Sequence, residues 1–439
     1  MTAPVDPAAL AAPATRAGRG ALARIGRNTA SMLVGDGAGE VLVGYSLGLA
    51  ALALGPRGFG RLAEAQAFMD PFDALAGLGL ASIAMVVAAR RKGVDGAMQG
   101  TILGLRALSG AATACLALGA AFATGRGDLF PLLSLVAIIM VVVPVSIAST
   151  LPFRHEQTLH RRMVVPFLAA VVRLGAAYLA YFFLRRPFGF QLAVLAGSIT
   201  AALLDYRFAR RSYPERPRFD WALAKELVVL GWPAAVFEVI IMVYTRASYF
   251  LLRSVGPVAQ GEYAAADRLV RPLLAVAGAL FVSALPALAA LAEERQFVRL
   301  RLAYEKAVLR ITLVMVPVAT TAWFLAPFLL RRFAPEYAAA VWPFRVLLVG
   351  TLFMFLNISS TAFALALGRF RGVMIIALAD LAVYFGLAAR LVPRHGALGA
   401  AFSTSIMESV NTVMQMSFVF YVLRDSARAG PAVPPRSVS

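Results

Sequence analysis

The feature that most constrains the fold is a rhythm of long apolar stretches. About twelve stretches of roughly 20–27 residues run from Asn28 to Leu423, joined by short connections rich in arginine. A helix needs about 20 apolar residues to cross a hydrocarbon core about 30 Å thick, and in lipid it satisfies its own backbone hydrogen bonds. The pattern predicts an all-α, multi-pass membrane protein. The predicted spans are 28–54, 64–89, 97–123, 129–152, 164–184, 188–209, 226–252, 262–291, 305–330, 341–367, 373–392 and 397–423.

The positive charge of the chain lies between the spans. The chain is 60% hydrophobic with a mean hydropathy of +0.76, which is more apolar than a soluble protein needs to be. Its net charge of +19 is spread over many connections, which argues against a nucleic-acid partner. Alternate connections carry about 25 basic residues on one side and about 10 on the other. Because cytoplasmic connections are enriched in Lys and Arg, both termini are predicted to be cytoplasmic.

The ends of the chain are predicted to be tails. Residues 1–27 are rich in Ala and Pro and then basic, without the apolar core of a secretory signal peptide. We expect them to form a disordered cytoplasmic tail, and we expect the same of residues 425–439.

Several kinds of chemistry have no residues to support them. Cys115 is the only cysteine, so the chain has neither a disulfide nor a thiolate metal site of its own. His155 and His160 lie among arginines without an acid or a cysteine to complete a metal site. The sequence has no phosphate-binding loop, which argues against an ATP-driven pump in this chain. No metal and no cofactor is expected.

A polar connector divides the chain near its midpoint. Residues 211–225 contain Pro214 and Pro217, and this segment is predicted to be a cytoplasmic connector that acts as a hinge. It separates an N-terminal six-helix bundle over 28–210 from a C-terminal six-helix bundle over 226–424.

An internal repeat supports this division. When the chain is shifted by 201 residues, 55–82 lies over 256–283 with ten identical positions. The matches include a Gly-Pro pair (Gly55 and Pro56), a second glycine at Gly60 and an intramembrane proline at Pro71. Both copies join the first and second spans of their half, so the repeat is parallel. Two halves related by an axis along the membrane normal are a common plan of transporters.

Six segments carry a resemblance to a known family. They are LGPRGFG (54–60), DPFDALAGLGL (70–80), VGPVAQGEYAAADRL (255–269), SALPALAAL (283–291), APEYAAAVWPFRVL (334–347) and GALGAAFST (396–404). In their order and spacing they resemble the Wzx-type polysaccharide flippases, whose superfamily also contains the lipid II flippases and the MATE multidrug exporters. The resemblance covers nearly the whole chain.

The resemblance implies two pseudo-symmetric helix bundles around a central cavity in the bacterial cytoplasmic (inner) membrane. It also implies movement of an undecaprenyl-pyrophosphate-linked glycan from the cytoplasmic to the periplasmic leaflet by alternating access. The expected partners are therefore the lipid-linked oligosaccharide, membrane lipids and a coupling H⁺ or Na⁺. Contact with glycosyltransferases or a polymerase of the same pathway is a further expectation.

Arginines inside the spans are the candidate substrate ligands. Charges within a membrane are costly and usually face a bundle interior or a water-filled cavity. Arginine stays charged and binds phosphate with two donors at once. Arg246, Arg268 and Arg271 are predicted to bind the pyrophosphate, and Arg173 is a further predicted substrate-binding residue. The repeat aligns Asp70 with Arg271, which favours contact between them across the cavity.

Acids in the first two spans are the candidate ion-coupling residues. Asp36 and Glu40 are four residues apart on one helix face, and Asp70 and Asp73 are three apart around Pro71. Neighbouring carboxylates favour binding of a proton or a sodium ion. The alternative is that intramembrane charges pair within one bundle and only fix helix packing, as an (i, i+4) Asp267–Arg271 pair would do.

Three functions remain open from the sequence. The first is the flippase. The second is a MATE-like, cation-coupled antiporter for drugs or other small molecules, which shares the fold and is disfavoured by the cavity arginines. The third is a non-transporting membrane scaffold for envelope-assembly enzymes. An enzyme is not expected, because the sequence offers no nucleophile–base set and the predicted outer connections are short.

Overall fold

The chain folds into a bundle of long helices. A computed structural model describes residues 16–91, 93–156, 158, 162–213, 215–271, 273, 294, 297–367 and 369–428, with the side chains of 16–37 outside the described part. Within these ranges no strand occurs. The helices are α1 (Arg16–Ala76), α2 (Leu80–Arg90), α3 (Gly96–Ala123), α4 (Phe130–His155), α5 (Val164–Leu179), α6 (Pro187–Ser212), α7 (Trp221–Leu252), α8 (257–271), α9 (Phe297–Phe333), α10 (Val341–Ala366) and α11 (Phe370–Arg428).

The predicted all-α membrane class is confirmed. Among the described residues, nine helices are long and apolar enough to cross a membrane. Many large apolar side chains on the outside of the bundle are exposed, for example Phe122 and Phe183, as expected for a surface that faces lipid. The predicted eighth span, 262–291, lies mostly outside the described residues, so the count of twelve spans stays a prediction.

Two of the nine candidate spans are long enough for about two crossings. Ala38–Ala76 has 39 residues and Arg371–Arg424 has 54, whereas about 20 suffice. Each contains one glycine with non-helical backbone angles, Gly55 (φ 60°) and Gly396 (φ 53°). Such positive φ values favour glycine, because a Cβ atom clashes there. These glycines divide α1 and α11 where the sequence predicts connections between spans.

Two boundaries differ from the sequence prediction. The helix α1 begins at Arg16, inside the segment predicted to be a disordered tail, while residues 1–15 lie outside the described part. The helix α11 continues to Arg428, past the predicted start of the C-terminal tail.

The predicted second span, 64–89, is broken. Residues 77–79 form a turn between α1 and α2, in which Leu78 has φ 50° and Gly79 has φ 63°. Leu78 is strained, because a left-handed backbone is unfavourable for a residue with a Cβ atom. Gly79 packs so closely on Gly231 of α7 that a Cβ atom would not fit.

The two halves meet along a seam formed by the second leg of α1 (56–76) and α2 on one side and by α7 and α8 on the other. The largest buried apolar cluster crosses this seam. It joins Leu49 and Phe59 of the first half to Tyr263 and Tyr384 of the second half. One hydrophobic core therefore holds both halves together.

One end of the seam carries both Gly-Pro turns, and we refer to it as the turn end. The Cα of Gly60 faces the carbonyl of Pro257, and the Cα of Gly261 faces the carbonyl of Pro56, each too closely for a side chain. These positions are equivalent under the 201-residue repeat. The repeat predicted from the sequence thus appears in the structure as a symmetric crossing of two helix starts.

The opposite end of the bundle carries the connector, and we refer to it as the connector end. The backbone N–H of Gly96, at the start of α3, donates to the Glu215 carboxylate at 2.6 Å. Arg218 N–H donates to the Gly96 carbonyl at 2.8 Å, and Asp220 N–H donates to Thr101 Oγ1 at 2.9 Å. Residues 215–220 are therefore fastened to the first half.

Candidate functional site

Three of the four predicted substrate arginines lie at the seam. Arg246 is on α7, and Arg268 and Arg271 are on α8. Arg268 lies within electrostatic reach of both of the others. The fourth, Arg173 on α5, interacts electrostatically with Arg268 from the first half. The structure thus brings all four predicted arginines into one cluster.

Arg246 forms an ion pair with Asp70 of the second leg of α1. The two side chains are 17% and 29% exposed, so the pair is neither fully buried nor free in solvent. The repeat aligned Asp70 with Arg271, and that expectation is not met, because Asp70 contacts Arg246 instead. The pair links the two halves across the seam.

Arg268 also reaches across the seam. Its Nη2 donates to Gln66 Oε1 at 2.6 Å, and its guanidinium lies 4.6 Å from the ring centre of Phe59. Gln66 in turn donates to Gln191 at 3.1 Å. The other terminal nitrogen of Arg268, Nη1, is buried and has no hydrogen-bond partner among the described residues. Arg268 therefore keeps an unused donor.

Arg173 faces the same region from α5. Its Nε donates to Ser46 Oγ at 3.1 Å, and Glu40 is within electrostatic reach. A small pocket beside it is lined in part by Ser46, Gln66 and Phe190. Arg173 therefore lies close to the side chain that holds Arg268.

Arg271 has a partner on its own helix. Its Nε donates to Asp267 at 2.7 Å in an (i, i+4) pair, and Tyr249 donates to the same carboxylate at 3.0 Å. This is the packing arrangement that the sequence left open as an alternative. Among the described residues, the four guanidiniums of the cluster contact two carboxylates, those of Asp70 and Asp267, and Glu40 lies within electrostatic reach of Arg173. Because arginines outnumber these acids, the region is suited to an anion.

Of the predicted ion-coupling acids, Asp70 and Asp73 interact electrostatically with each other, but the described candidates have different basic partners. The side chain of Asp36 lies outside the described residues, and Glu40 is exposed. Asp70 is engaged by Arg246, whereas Asp73 interacts electrostatically with Arg106 of α3 and Glu238 of α7. The turn at residues 77–79 lies beside Arg106 and Glu238.

A second pair of acids is more deeply buried than Glu40, Asp70 or Asp73. Asp380 and Glu408, on the two legs of α11, are only 5% and 3% exposed and interact electrostatically. Glu408 accepts hydrogen bonds from Tyr244 (2.5 Å) and Asn357 (2.6 Å). Oxygen atoms of Asp380 and Asn357 are buried without a partner, and no basic side chain of the described chain contacts either acid. The site therefore has more acceptors than donors.

Both acids lie inside predicted spans, but nothing in the sequence pairs them. They are 28 positions apart in the sequence, and their contact depends on how α11 folds back at Gly396. Tyr244 and Asn357 come from α7 and α10. The described residues contain no group of three or more His, Cys, Asp or Glu side chains suited to a metal ion.

Charged residues also join the halves at the turn end. Arg253 pairs with the buried Glu64 and lies 4.0 Å from Asp128. Arg126 lies 3.9 Å from Glu64 and stacks on Phe68 at 4.8 Å. Burial and the nearby Arg253 lower the pKa of Arg126, while Glu64 and Asp128 oppose that shift. This group closes the turn end in the present conformation.

Comparison with known proteins identifies the family. Residues 49–335, well over half of the chain, match the family described as "Polysaccharide biosynthesis protein". A comparison with curated proteins finds no match.

Solved structures share the fold. An inward-facing multidrug resistance MATE family transporter of the MOP superfamily matches with a TM-score of 0.67 at 14% identity, over 92% of this chain and 96% of that one. An outward-facing structure of such a transporter matches with a TM-score of 0.68 at 16% identity, with the same coverage. The family and these neighbours are transporters, which confirms the expectation that the chain is not an enzyme. The chain belongs to the polysaccharide biosynthesis proteins, the Wzx-type flippase family, and has the fold of the MATE transporters.

Proposed function

We propose that this protein is a flippase for an undecaprenyl-pyrophosphate-linked glycan. It moves the lipid across the cytoplasmic membrane by alternating access, for export of a surface polysaccharide. The observation that supports this proposal best is the cluster of Arg173, Arg246, Arg268 and Arg271, in which four guanidiniums contact two carboxylates. A cationic drug would be repelled there, whereas a pyrophosphate would be attracted.

The chemistry of the cluster suits a diphosphate head group. Arginine presents paired N–H donors to phosphate oxygens and stays charged even when partly buried. Arg268 has an unused donor, and Arg246 is partly exposed, so both are available to a ligand between the halves. Arg271 is engaged by Asp267 and contributes mainly its charge.

The coupling ion is the second part of the proposal. Asp36, Glu40, Asp70 and Asp73 remain candidates from the sequence, but Asp70 and Asp73 each face an arginine. The Asp380–Glu408 pair has no such partner. Two ionised carboxylates buried side by side are unfavourable, so the pair is suited to holding a proton or a sodium ion. We therefore place the coupling ion at this pair.

A MATE-like antiporter is the second candidate function. The fold of the neighbours and the buried acids favour it. The two functions differ in the charge of the substrate. An antiporter for cationic drugs needs the buried acids and not the cluster arginines, whereas the flippase needs both groups.

The test is single substitution of the cluster arginines. Arg246→Ala and Arg268→Ala are each expected to weaken head-group binding by about 10- to 100-fold, because a charge-assisted hydrogen bond contributes about 1.5–3 kcal/mol. Surface glycan is measured in cells that carry each variant as their only copy, with expression checked by blotting.

Arg301→Ala is the matched control. Arg301 is 63% exposed and, within the part of the chain that the structure describes, pairs with Glu305 on its own helix, so export should be unchanged. Normal export by both Arg246→Ala and Arg268→Ala would show that these arginines only fix packing.

A further inference from the structure

The two cluster arginines nearest the seam are each held by a residue of the opposite half. Asp70 holds Arg246, and Gln66 holds Arg268 at 2.6 Å. Asp70 and Gln66 are four residues apart on one helix, so they project from the same face of the second leg of α1. Their partners come from two different helices, α7 and α8. One face of the first half thus engages two arginines of the second half.

These partners have the chemistry of the proposed substrate. The Asp70 carboxylate and the Gln66 amide oxygen accept hydrogen bonds from guanidinium groups, as pyrophosphate oxygens do. Neither arginine is saturated, since Nη1 of Arg268 is buried without a partner and Arg246 is 17% exposed. A ligand that enters between the halves therefore reaches both guanidiniums while Asp70 and Gln66 still contact them.

We infer that Asp70 and Gln66 act as internal substitutes for the pyrophosphate. In the empty carrier they occupy Arg246 and Arg268 and hold the seam closed. A bound head group takes both arginines, and the same exchange releases the second leg of α1 from α7 and α8. Substrate binding and closure of the seam thereby compete for the same two side chains. This inference rests on the proposed function.

Arg271 offers an internal comparison. Its partner, Asp267, is on its own helix, so freeing Arg271 breaks no contact between the halves. Removal of the Asp267 charge should therefore strengthen anion binding without loosening the seam. Removal of the Asp70 charge should strengthen anion binding and also loosen the seam.

The first measurement is binding of inorganic pyrophosphate to the purified full chain in detergent, by calorimetry. Asp70→Asn should bind pyrophosphate about tenfold more tightly than the wild type, because the ligand no longer displaces a carboxylate. Gln66→Met, which keeps the side-chain length and removes the acceptor, should shift affinity in the same direction. Gln66→Met therefore still tests the inference if Asp70→Asn does not fold.

The second measurement is the distance between spin labels at Arg57→Cys and Val258→Cys, in a background without Cys115. Both positions are exposed and directly follow the prolines of the turn end. Pyrophosphate should lengthen the distance in the wild type. Asp70→Asn should show the longer distance without ligand, whereas Asp267→Asn should keep the short one.

The outcomes separate this inference from the proposed function. Wild-type pyrophosphate affinity and an unchanged distance in both Asp70→Asn and Gln66→Met would overturn the exchange while leaving the arginines as substrate ligands. Normal export by Arg246→Ala and Arg268→Ala would instead remove the proposed function itself.

Discussion

Single charged residues in this bundle fall into two groups, those with a partner of opposite sign and those without. Arg246, Arg271 and Glu64 each contact an opposite charge. Among the described residues, Glu408 accepts hydrogen bonds from a hydroxyl and an amide, Asp380 has a buried oxygen without a hydrogen-bond partner, and neither acid contacts a basic side chain. Burial of unpaired charge is costly, so the second group is expected to change its protonation or bind a cation during function.

Glu408→Gln tests this expectation. The variant should fold, because Asn357 can turn its unpartnered oxygen toward the new amide nitrogen while Tyr244 still donates to the amide oxygen. It should lose its response to an ion gradient, since the neutral side chain neither releases a proton nor attracts a cation. The measurement is lipid transport in proteoliposomes with an imposed pH or sodium gradient.

Glu305→Gln is the control for charge loss, because Glu305 lies on the surface and pairs with Arg301. It should respond to the gradient as the wild type does. An undiminished response of Glu408→Gln would remove the pair from the coupling mechanism.

The arginines were predictable at this scale and most of their partners were not. An arginine within an apolar span stands out in the sequence because it is costly there, whatever the fold. The (i, i+4) partner of Arg271 follows from helix geometry alone. The contact between Asp70 and Arg246 depends on the rotation of two helices about their axes, which neither the repeat nor the spacing determines.

At the scale of elements, the crossing of α8 and the second leg of α1 depends on two glycines without room for a side chain. Gly261→Ala should lower the melting temperature of the purified protein, because the new methyl group meets the backbone of Pro56. Overpacking of this kind costs about 1–3 kcal/mol. Unfolding is followed by fluorescence in detergent.

Gly48→Ala is the matched control, since nothing lies within 4 Å of a Cβ at that position of α1. It should leave the melting temperature unchanged or raise it, because alanine favours helix over glycine by roughly 0.5–1 kcal/mol. Equal melting temperatures of Gly261→Ala and the wild type would mean that the helix crossing accommodates the added methyl group without loss of stability.

The elements themselves were largely predictable. Apolar length predicts the helices, and the Gly-Pro pairs mark both turns at the turn end. The break at residues 77–79 contains Gly77 and Gly79, but it was not predicted. The reason is that the apolar run continues through Leu78 without a polar residue. The left-handed Leu78 is explained only by the packing of Gly79 on Gly231.

For the whole molecule, the open question is orientation. The basic asymmetry of the connections predicts that the connector end faces the cytoplasm and the turn end faces the periplasm. In a background without Cys115, a membrane-impermeant thiol reagent added to intact cells should label Gly127→Cys and leave Arg216→Cys unlabelled. Both positions are exposed, so accessibility within the protein does not decide the result.

Labelling of permeabilised cells is the control and should reach both cysteines. The opposite pattern in intact cells would reverse the proposed topology.

The symmetric crossing at the turn end has a consequence for assembly. Each half contributes the same two features, a proline carbonyl and a glycine, and each receives the same two from the other half. A contact of this kind is isologous, which is the form that two-fold homodimers use. A chain of half this length would carry everything that the crossing needs, and two copies would meet about the same axis. The connector then holds both partners of a two-fold contact within one polypeptide.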